Sequence, residues 1–214
     1  MCNVEGLEEQ NSKFVDYLVE RHVIKSKRIE DAFRKIPRYL FVRKEYLEEA
    51  HVDLPLPVGH SATISQPSAV ASMLEGLGLV EGDNVLEIGA GSGWNAALMG
   101  YIVGETGSVI SLELDHEIAD SAKANVKRTK ARNVTVICMD GSAGYPEEGP
   151  YDRIIYTVAI RGIPDNVIGQ LKVGGSLLAP VGGGFVQELV KVDKTSSKDT
   201  RRSVLGYYQF VHLR

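Results

Sequence analysis

The pattern of apolar and polar residues changes period near Leu79 and so divides the chain. From Leu7 to about His22, Phe14, Val15, Leu18 and Val19 recur at helical spacing between charged residues, and Ile29 to Ile36 repeats the pattern. Two amphipathic helices therefore open the chain. Pro37 stops the second. The stretch from Tyr39 to Gly59, with Pro55 and Pro57, reads as an ordered but irregular crossing segment, and loops of that length usually serve a function. In Thr63-Ile64-Ser65-Gln66-Pro67 the proline suits a first helical turn and Ser65 or Gln66 sits near the cap. This predicts a third helix over Ala69–Leu77 with its N-terminus toward Ser65.

Beyond Leu79 short apolar runs alternate with helical patterns. Strands are expected at Asn84–Ile88, Val109–Leu114, Val134–Met139 and Arg153–Val158, and helices at Trp94–Val103, Ile118–Thr129 and Asp165–Leu171. Such alternation makes an α/β fold with a parallel sheet covered on both faces. Gly174-Gly175 is expected to end the last helix ahead of a strand at Ser176–Val181. Val186–Val192 and Ser203–Val211 alternate apolar with polar around the polar loop Asp193–Thr200, which predicts an antiparallel pair at the sheet edge.

Composition narrows the function classes. A length of 214 residues suits one domain, and 43% apolar residues can fill its core. The net charge of −4 supplies no global field for nucleic acid, and the cluster Lys25, Lys27 and Arg28 reads as a solvated helix end. The two cysteines, Cys2 and Cys138, lack metal-ligand spacing, and the five histidines form no H-E-x-x-H. No metal is expected, and the protein is expected to be reduced and cytoplasmic. The chain opens with acids at Glu5, Glu8 and Glu9 rather than a signal sequence, and no apolar run reaches membrane-spanning length.

The candidate chemistry centres on Val85 to Gly93, VLEIGAGSG. It reads as a buried strand, a glycine turn at Gly89, Gly91 and Gly93, and a following helix, a place for a nucleotide-like ligand. Trp94 occupies the third-glycine position of a dinucleotide fingerprint. Ligands of open α/β sheets lie beyond the carboxyl ends of the strands, so acids there carry weight. Glu113 closes the second strand, twenty residues past Gly93, where an acid can accept from ribose hydroxyls. Asp115 reads as a helix cap for Ile118 onward. Asp140-Gly141 closes the third strand and reads either as an Asp-Gly turn or as an acceptor for an adenine amino group. Together these positions describe an adenosine site.

Glu87 ahead of G-x-G-x-G resembles motif I of the class I S-adenosylmethionine (SAM) methyltransferases. A wider match, from about Ile36 to Gly183, is similar to the protein-L-isoaspartate (D-aspartate) O-methyltransferase family. It rests on PLPVG at Pro55, TISQP at Thr63, LEIGAGSG at Leu86, DGSAGYP at Asp140, PYDRI at Pro150 and LKVGGSLLAPVG at Leu171. The resemblance implies a Rossmann-like class I methyltransferase sheet, mostly parallel with an antiparallel C-terminal edge pair and preceded by N-terminal helices. Residues 1–66 would form a helical extension covering substrate and cofactor, and 67–214 the SAM-binding core, within one compact domain. It implies SAM as cofactor, leaving S-adenosyl-L-homocysteine, held by Glu87, Gly89, Ala90, Gly91, Ser92, Gly93, Glu113, Leu114, Asp140 and Gly141. Ser65 would be the active-site hydroxyl, with Thr63, Ile64, Thr157, Val158 and Ala159 bordering the substrate. The substrate would be an isoaspartyl peptide or an unfolded or damaged protein, met by a monomer without nucleic acid or membrane.

The residues themselves leave several readings open. Ser65 serves equally as a helix cap, and His60 reads as structural rather than catalytic. Ala62, Arg43 and the run Thr157 to Arg161 depart from the family's usual residues. Arg161 would either pair with a substrate carboxylate or be solvated. A SAM-binding module, an enzyme for another carboxylate and a NAD-linked oxidoreductase are the alternatives.

Overall fold

The computed structural model describes residues 4–60 and 62–213, with side chains from Gly6 onward; Cys2 lies outside the described residues. Helices α1 (Val4–Glu20) and α2 (Lys27–Lys35) open it, followed by 3-10 turns at Arg38–Leu40 and Lys44–Glu49. A hairpin of β1 (Leu56–Gly59) and β2 (Ala62–Ile64) leads into α3 (Pro67–Leu77). The alternating part comprises β3 (Asn84–Ile88), α4 (Trp94–Val103), β4 (Ser108–Glu113), α5 (His116–Arg128), β5 (Val134–Cys138), β6 (Tyr151–Tyr156) and α6 (Asp165–Gly169). Three long strands close it: β7 (Leu171–Val181), β8 (Gln187–Lys194) and β9 (Thr200–Tyr208).

Seven strands form one sheet in the order β5-β4-β3-β6-β7-β8-β9, parallel as far as β7 and antiparallel from β7 to β9. The α/β fold with its antiparallel edge pair is thus as the sequence pattern implied. Parallel pairing requires crossovers, which bury both faces of the central strands, and Val85 to Ile88 of β3 are accordingly all buried. Helix α4 is apolar nearly all round because α2 packs on its other side, with Phe33 edge-on to Trp94 at 5.3 Å. The same hydrophobic cluster takes Val15, Leu18 and Phe33 from the opening helices, Val70 and Leu98 from α3 and α4, and Val85 from the sheet.

The structure corrects three local expectations. Gly174-Gly175 does not end a helix: α6 stops at Gly169 and both glycines lie inside β7. The pairing of β6 with β7 slips between Tyr151/Leu171 and Arg153/Ser176, and a Cβ on Gly175 would meet the Asp152 carbonyl at 2.9 Å. The pair therefore marks a bulge, a close approach that only glycine permits. The last strand ends at Tyr208 rather than Val211, since the following residues turn back to pair with Ala159. The crossing segment is more regular than its prolines suggest, because β1 at its end pairs with β2 just beyond it.

What organises that segment is Arg38, only 2% exposed. Its Nη1 donates to the carbonyls of Ala50 and Val52, and its Nη2 to those of Leu54, Ile64 and Ser65, at 2.7–3.3 Å. Its guanidinium also lies 5.8 Å from the Trp94 ring centre. Burial pushes its pKa down to about 10, partly offset by Asp53, so it stays charged at neutral pH. Arg38→Met should take a charged donor away from five carbonyls, of which Val52 keeps a second donor in Leu54 N–H. We expect a loss of about 3 kcal/mol or more, a fall in Tm of about 6–12 °C. Thermal unfolding of the variant checks this, and a Tm within 2 °C of wild type would remove Arg38 from the framework.

Candidate active site

A cavity of about 910 Å³ opens at the carboxyl ends of β3, β4 and β6, where the strand topology places ligands in such sheets. Among the expected cofactor residues, Glu87, Gly89, Ala90, Gly91, Ser92, Glu113, Leu114, Asp140 and Gly141 line it, and Gly93 does not. Gly93 instead lets α4 pack on α5: at φ +82° a Cβ there would meet the Ala122 carbonyl at 3.1 Å. Gly89 has φ +101°, and a Cβ there would meet Thr157 Oγ1 at 2.6 Å. Among the expected substrate residues Thr63, Ile64, Ser65, Thr157 and Val158 line the cavity. Ala159 does not: it is buried, and its backbone pairs with Val211 and Leu213.

The glycine turn is closed by its own hydrogen bonds. Gly89 and Ala90 donate to the Leu112 carbonyl, Gly93 donates to Ala90, and Trp94 donates to Ser92 Oγ. Gly91 donates to Glu113 Oε2 at 2.9 Å. These N–H groups are therefore not free to cradle a pyrophosphate, which is the task of a dinucleotide turn. Charge points the same way. Glu87, Glu113, Asp115 and Asp140 line the cavity, and no Lys or Arg is among its described lining residues. Such a site suits a cationic ligand and repels phosphates.

The individual acids differ in their duties. Glu113 accepts from Gly91 and, at 3.2 Å, from Asp115 N–H, which leaves each oxygen with capacity for a ligand hydroxyl. Asp140 Oδ1 accepts from Ser142 N–H at 2.8 Å, so the turn is present, and the residue still lines the cavity. Asp115 caps α5 by accepting from Glu117 and Ile118 N–H. His60 at the hairpin tip meets Asp115 Oδ2 at 2.8 Å and Glu117 Oε2 at 3.0 Å. The Asp115 carboxylate raises its pKa, and the pair ties the hairpin to the start of α5. Glu87 is fully buried and accepts from Asn95 Nδ2 at 2.7 Å and Ser111 Oγ at 2.5 Å. Burial still dominates and pushes its pKa up to about 7.

Ser65 lies across the cavity from these acids' turn, where a Cβ on Gly91 would stand 3.7 Å from the Thr63 carbonyl. It does not cap α3. Gln66 holds the cap position without a side-chain bond, and Asp53 supplies the acceptor, taking Ser68 N–H at 2.8 Å and Gln66 Nε2 at 3.1 Å. The Ser65 hydroxyl makes no hydrogen bond with any described residue. Thr157 is less available, since its hydroxyl donates to the Gly89 carbonyl. The sequence reading missed Arg38, Asp53 and the wall formed by Tyr208 to Leu213. Nothing in local spacing marks the first two. The aromatic residues Tyr208 and Phe210 near the end of an edge strand were the signal for the third.

The site and sheet define a class I SAM-dependent methyltransferase, a class whose methyl donor is an adenosine carrying a sulfonium cation and no phosphate. The model of the protein-L-isoaspartate (D-aspartate) O-methyltransferase family matches residues 9–214, and the chain belongs to that family. Its relatives include the protein-L-isoaspartate O-methyltransferase 2 of Archaeoglobus fulgidus, 48% identical over 88% of this chain and 86% of the relative. The protein-L-isoaspartate O-methyltransferase of Pyrococcus horikoshii is 45% identical over 100% of this chain and 96% of its own. A solved protein-L-isoaspartate O-methyltransferase structure, 36% identical, superposes with a TM-score of 0.83 over 94% of this chain and 65% of that one. A candidate enzyme of that name from Plasmodium falciparum shares the fold at 22% identity, with a TM-score of 0.86 over 95% of this chain and 98% of that one.

Glu87 generates a pH prediction. Between its ordinary value of 4.5 and about 7 the folded protein binds more protons than the unfolded chain, so stability falls as pH rises through that window. Glu87→Gln keeps an acceptor for Asn95 and a donor for Ser111 without the charge. In the protein without added ligand, wild type should lose about 3 kcal/mol relative to this variant between pH 5 and 8. Urea unfolding of both across that range measures it, and parallel curves would contradict it.

Proposed function

We propose that this chain transfers the methyl group of SAM to the free carboxylate of L-isoaspartyl and D-aspartyl residues in damaged proteins and so starts their repair through a succinimide. Family membership supports the reaction, and the observation that carries it in the structure is the Ser65 hydroxyl, on the cavity and unclaimed by the chain. The donor set fits the cofactor: acids at successive strand ends for ribose, adenine and a cation, with no Lys or Arg among the described lining residues to hold a phosphate. Glu87, Gly89 to Ser92, Glu113, Leu114 and Asp140-Gly141 would hold it. When bound, SAM supplies an electrophilic methyl group.

The protein's own part is position and desolvation. A carboxylate with a pKa near 4 is already ionised at neutral pH and needs no base. Ser65 donates one hydrogen bond to one carboxylate oxygen, leaving the other free to attack. Thr63, Ile64 and Val158 shape the pocket around it, and the hairpin joined to α5 through His60 keeps water out. An isoaspartyl linkage places its carboxylate on the main-chain carbon, so it reaches less far than an aspartyl side chain. A displacement of about 1 Å can cost roughly a hundredfold, which makes normal L-aspartate a very poor substrate. Methoxide leaves far more readily than the oxygen of a carboxylate, so the following backbone nitrogen attacks the ester carbonyl, gives up its proton, expels methanol and closes the succinimide without the enzyme. In this reading residues 1–66 cover the 67–214 core, and the enzyme works as a cytoplasmic monomer on extended peptide segments rather than on nucleic acid. No described helix is long and apolar enough to cross a membrane.

Three outcomes test the assignment. Radiolabelled SAM with matched isoaspartyl and aspartyl peptides should label only the first, and equal labelling would defeat the reading. Ser65→Ala should lower turnover on the order of a hundredfold with SAM affinity and Tm nearly unchanged, because no cap is lost; undiminished turnover would remove Ser65 from catalysis. Glu113→Ala should raise the Kd for SAM about ten- to a hundredfold, with a smaller effect on turnover at saturation. Asp140→Asn should weaken binding less, since an amide carbonyl still accepts. Calorimetric titration ranks the two, and the reverse order would exchange their roles.

A further inference from the structure

A second hollow, of about 490 Å³, lies where the chain leaves the active-site cleft. Its floor is the sheet face carrying Val181, Val190 and Val204, aligned because Val190 pairs with Val204 and β7 runs antiparallel beside it. One wall is the loop from Arg161 to Ile163 after β6. Two arginines share the lining with this floor. Arg161 and Arg202 are exposed, and neither makes a hydrogen bond or ion pair with a described residue. The neighbouring Arg201 differs, being held by Asp193 at 3.0 Å. Glu188 is the single acid among the described lining residues and pairs with neither arginine, so the hollow keeps an excess of positive charge. The cleft itself is acid-lined, so the two adjoining sites have opposite sign.

The hollow and the cleft are joined by one short piece of chain. Val158 lines the cleft and Arg161 lines the hollow, three residues and at most ~10 Å further on. That piece is held rigidly: Ile160 donates to the Pro180 carbonyl at 2.9 Å and accepts from Gly182 N–H at 2.8 Å. Ala159 bridges to His212 on its other side. An extended peptide advances roughly 3.3 Å per residue, so about three residues span the same distance.

We propose that this hollow is a flank subsite that takes an acidic side chain of the substrate about three residues from the methylated position. A carboxylate matches the planar fork of a guanidinium, and two unpaired ones beside an apolar floor can hold its head while the floor takes its methylenes. This inference rests on the methyltransferase reading above, because it needs the isoaspartyl residue in the cleft. It gives Arg161 a part in choosing among damaged segments.

The test uses isoaspartyl peptides of one length with Glu, Gln or Lys at the third and fourth positions to either side, assayed for kcat/KM with wild type, Arg161→Gln and Arg161→Glu/Arg202→Glu. Wild type should favour the Glu peptide over the Gln peptide about two- to fivefold on one flank at low salt, the size of exposed ion pairs. The preference should shrink in Arg161→Gln, invert toward Lys in the double variant, and fade above about 0.5 M salt. SAM affinity reports that the variants are folded. Equal kcat/KM for the Glu and Gln peptides in wild type, or a Glu preference surviving in the folded double variant, would overturn the subsite. Failure of wild type to label any isoaspartyl peptide would overturn the methyltransferase reading instead, so the two failures are distinct.

Discussion

The architecture around the cleft depends on one buried cation. Arg38 draws the carbonyls of Ala50, Val52, Leu54, Ile64 and Ser65 onto a single guanidinium. A segment of short turns and one hairpin is thereby given a fixed course, because carbonyls facing inward have to be satisfied. The consequence reaches function directly, since one of those carbonyls belongs to Ser65. Trp94 completes the arrangement from the other side by donating its indole N–H to the Ile36 carbonyl at 2.9 Å. The residue standing where a dinucleotide turn would have glycine thus anchors the opening helices to the cofactor turn.

The second constraint is the closure of that turn. A glycine loop whose N–H groups already donate to Leu112, Ala90, Ser92 and Glu113 offers a ligand shape and carboxylates rather than a positive nest. The choice between an adenosine sulfonium and a dinucleotide is made here, by hydrogen-bond accounting, and the absence of Lys and Arg from the described lining agrees with it. Glu87 carries a cost for its place beneath the turn. It is desolvated with two hydrogen-bonding neighbours, and burial, with the nearby Glu113 carboxylate, raises its pKa against the pull of those two bonds.

Methylation of a carboxylate needs little acid–base chemistry, and the site has little. Its titratable groups are engaged in holding the frame: Asp53 at the start of α3, Asp115 and His60 between hairpin and α5, Glu113 on Gly91. The Ser65 hydroxyl, on the cavity, is unengaged by any described residue. Rigid support around a free donor is how position, rather than proton transfer, can account for rate.

The amino-acid sequence by itself determined the α/β alternation, the glycine turn, the strand-end acids and the family resemblance. Each of these is written in neighbouring residues, through the two- and 3.6-residue periods and the special backbone freedom of glycine. It left Ser65 open between cap and catalyst, placed Gly174-Gly175 at a helix end, and gave no sign of Arg38 or Asp53. Only the tertiary structure decided that Ser65 is not the cap and where the glycine pair, Arg38 and Asp53 belong, because each turns on partners far away in sequence. Asp53 reaches Ser68 across fifteen residues to take over the cap, and Arg38 reaches Ser65 across twenty-seven. The bulge at Gly175 depends on the register with β6. Periodicity reports which face of an element is buried, whereas a buried polar group is satisfied by whichever partner the completed fold brings within about 3 Å.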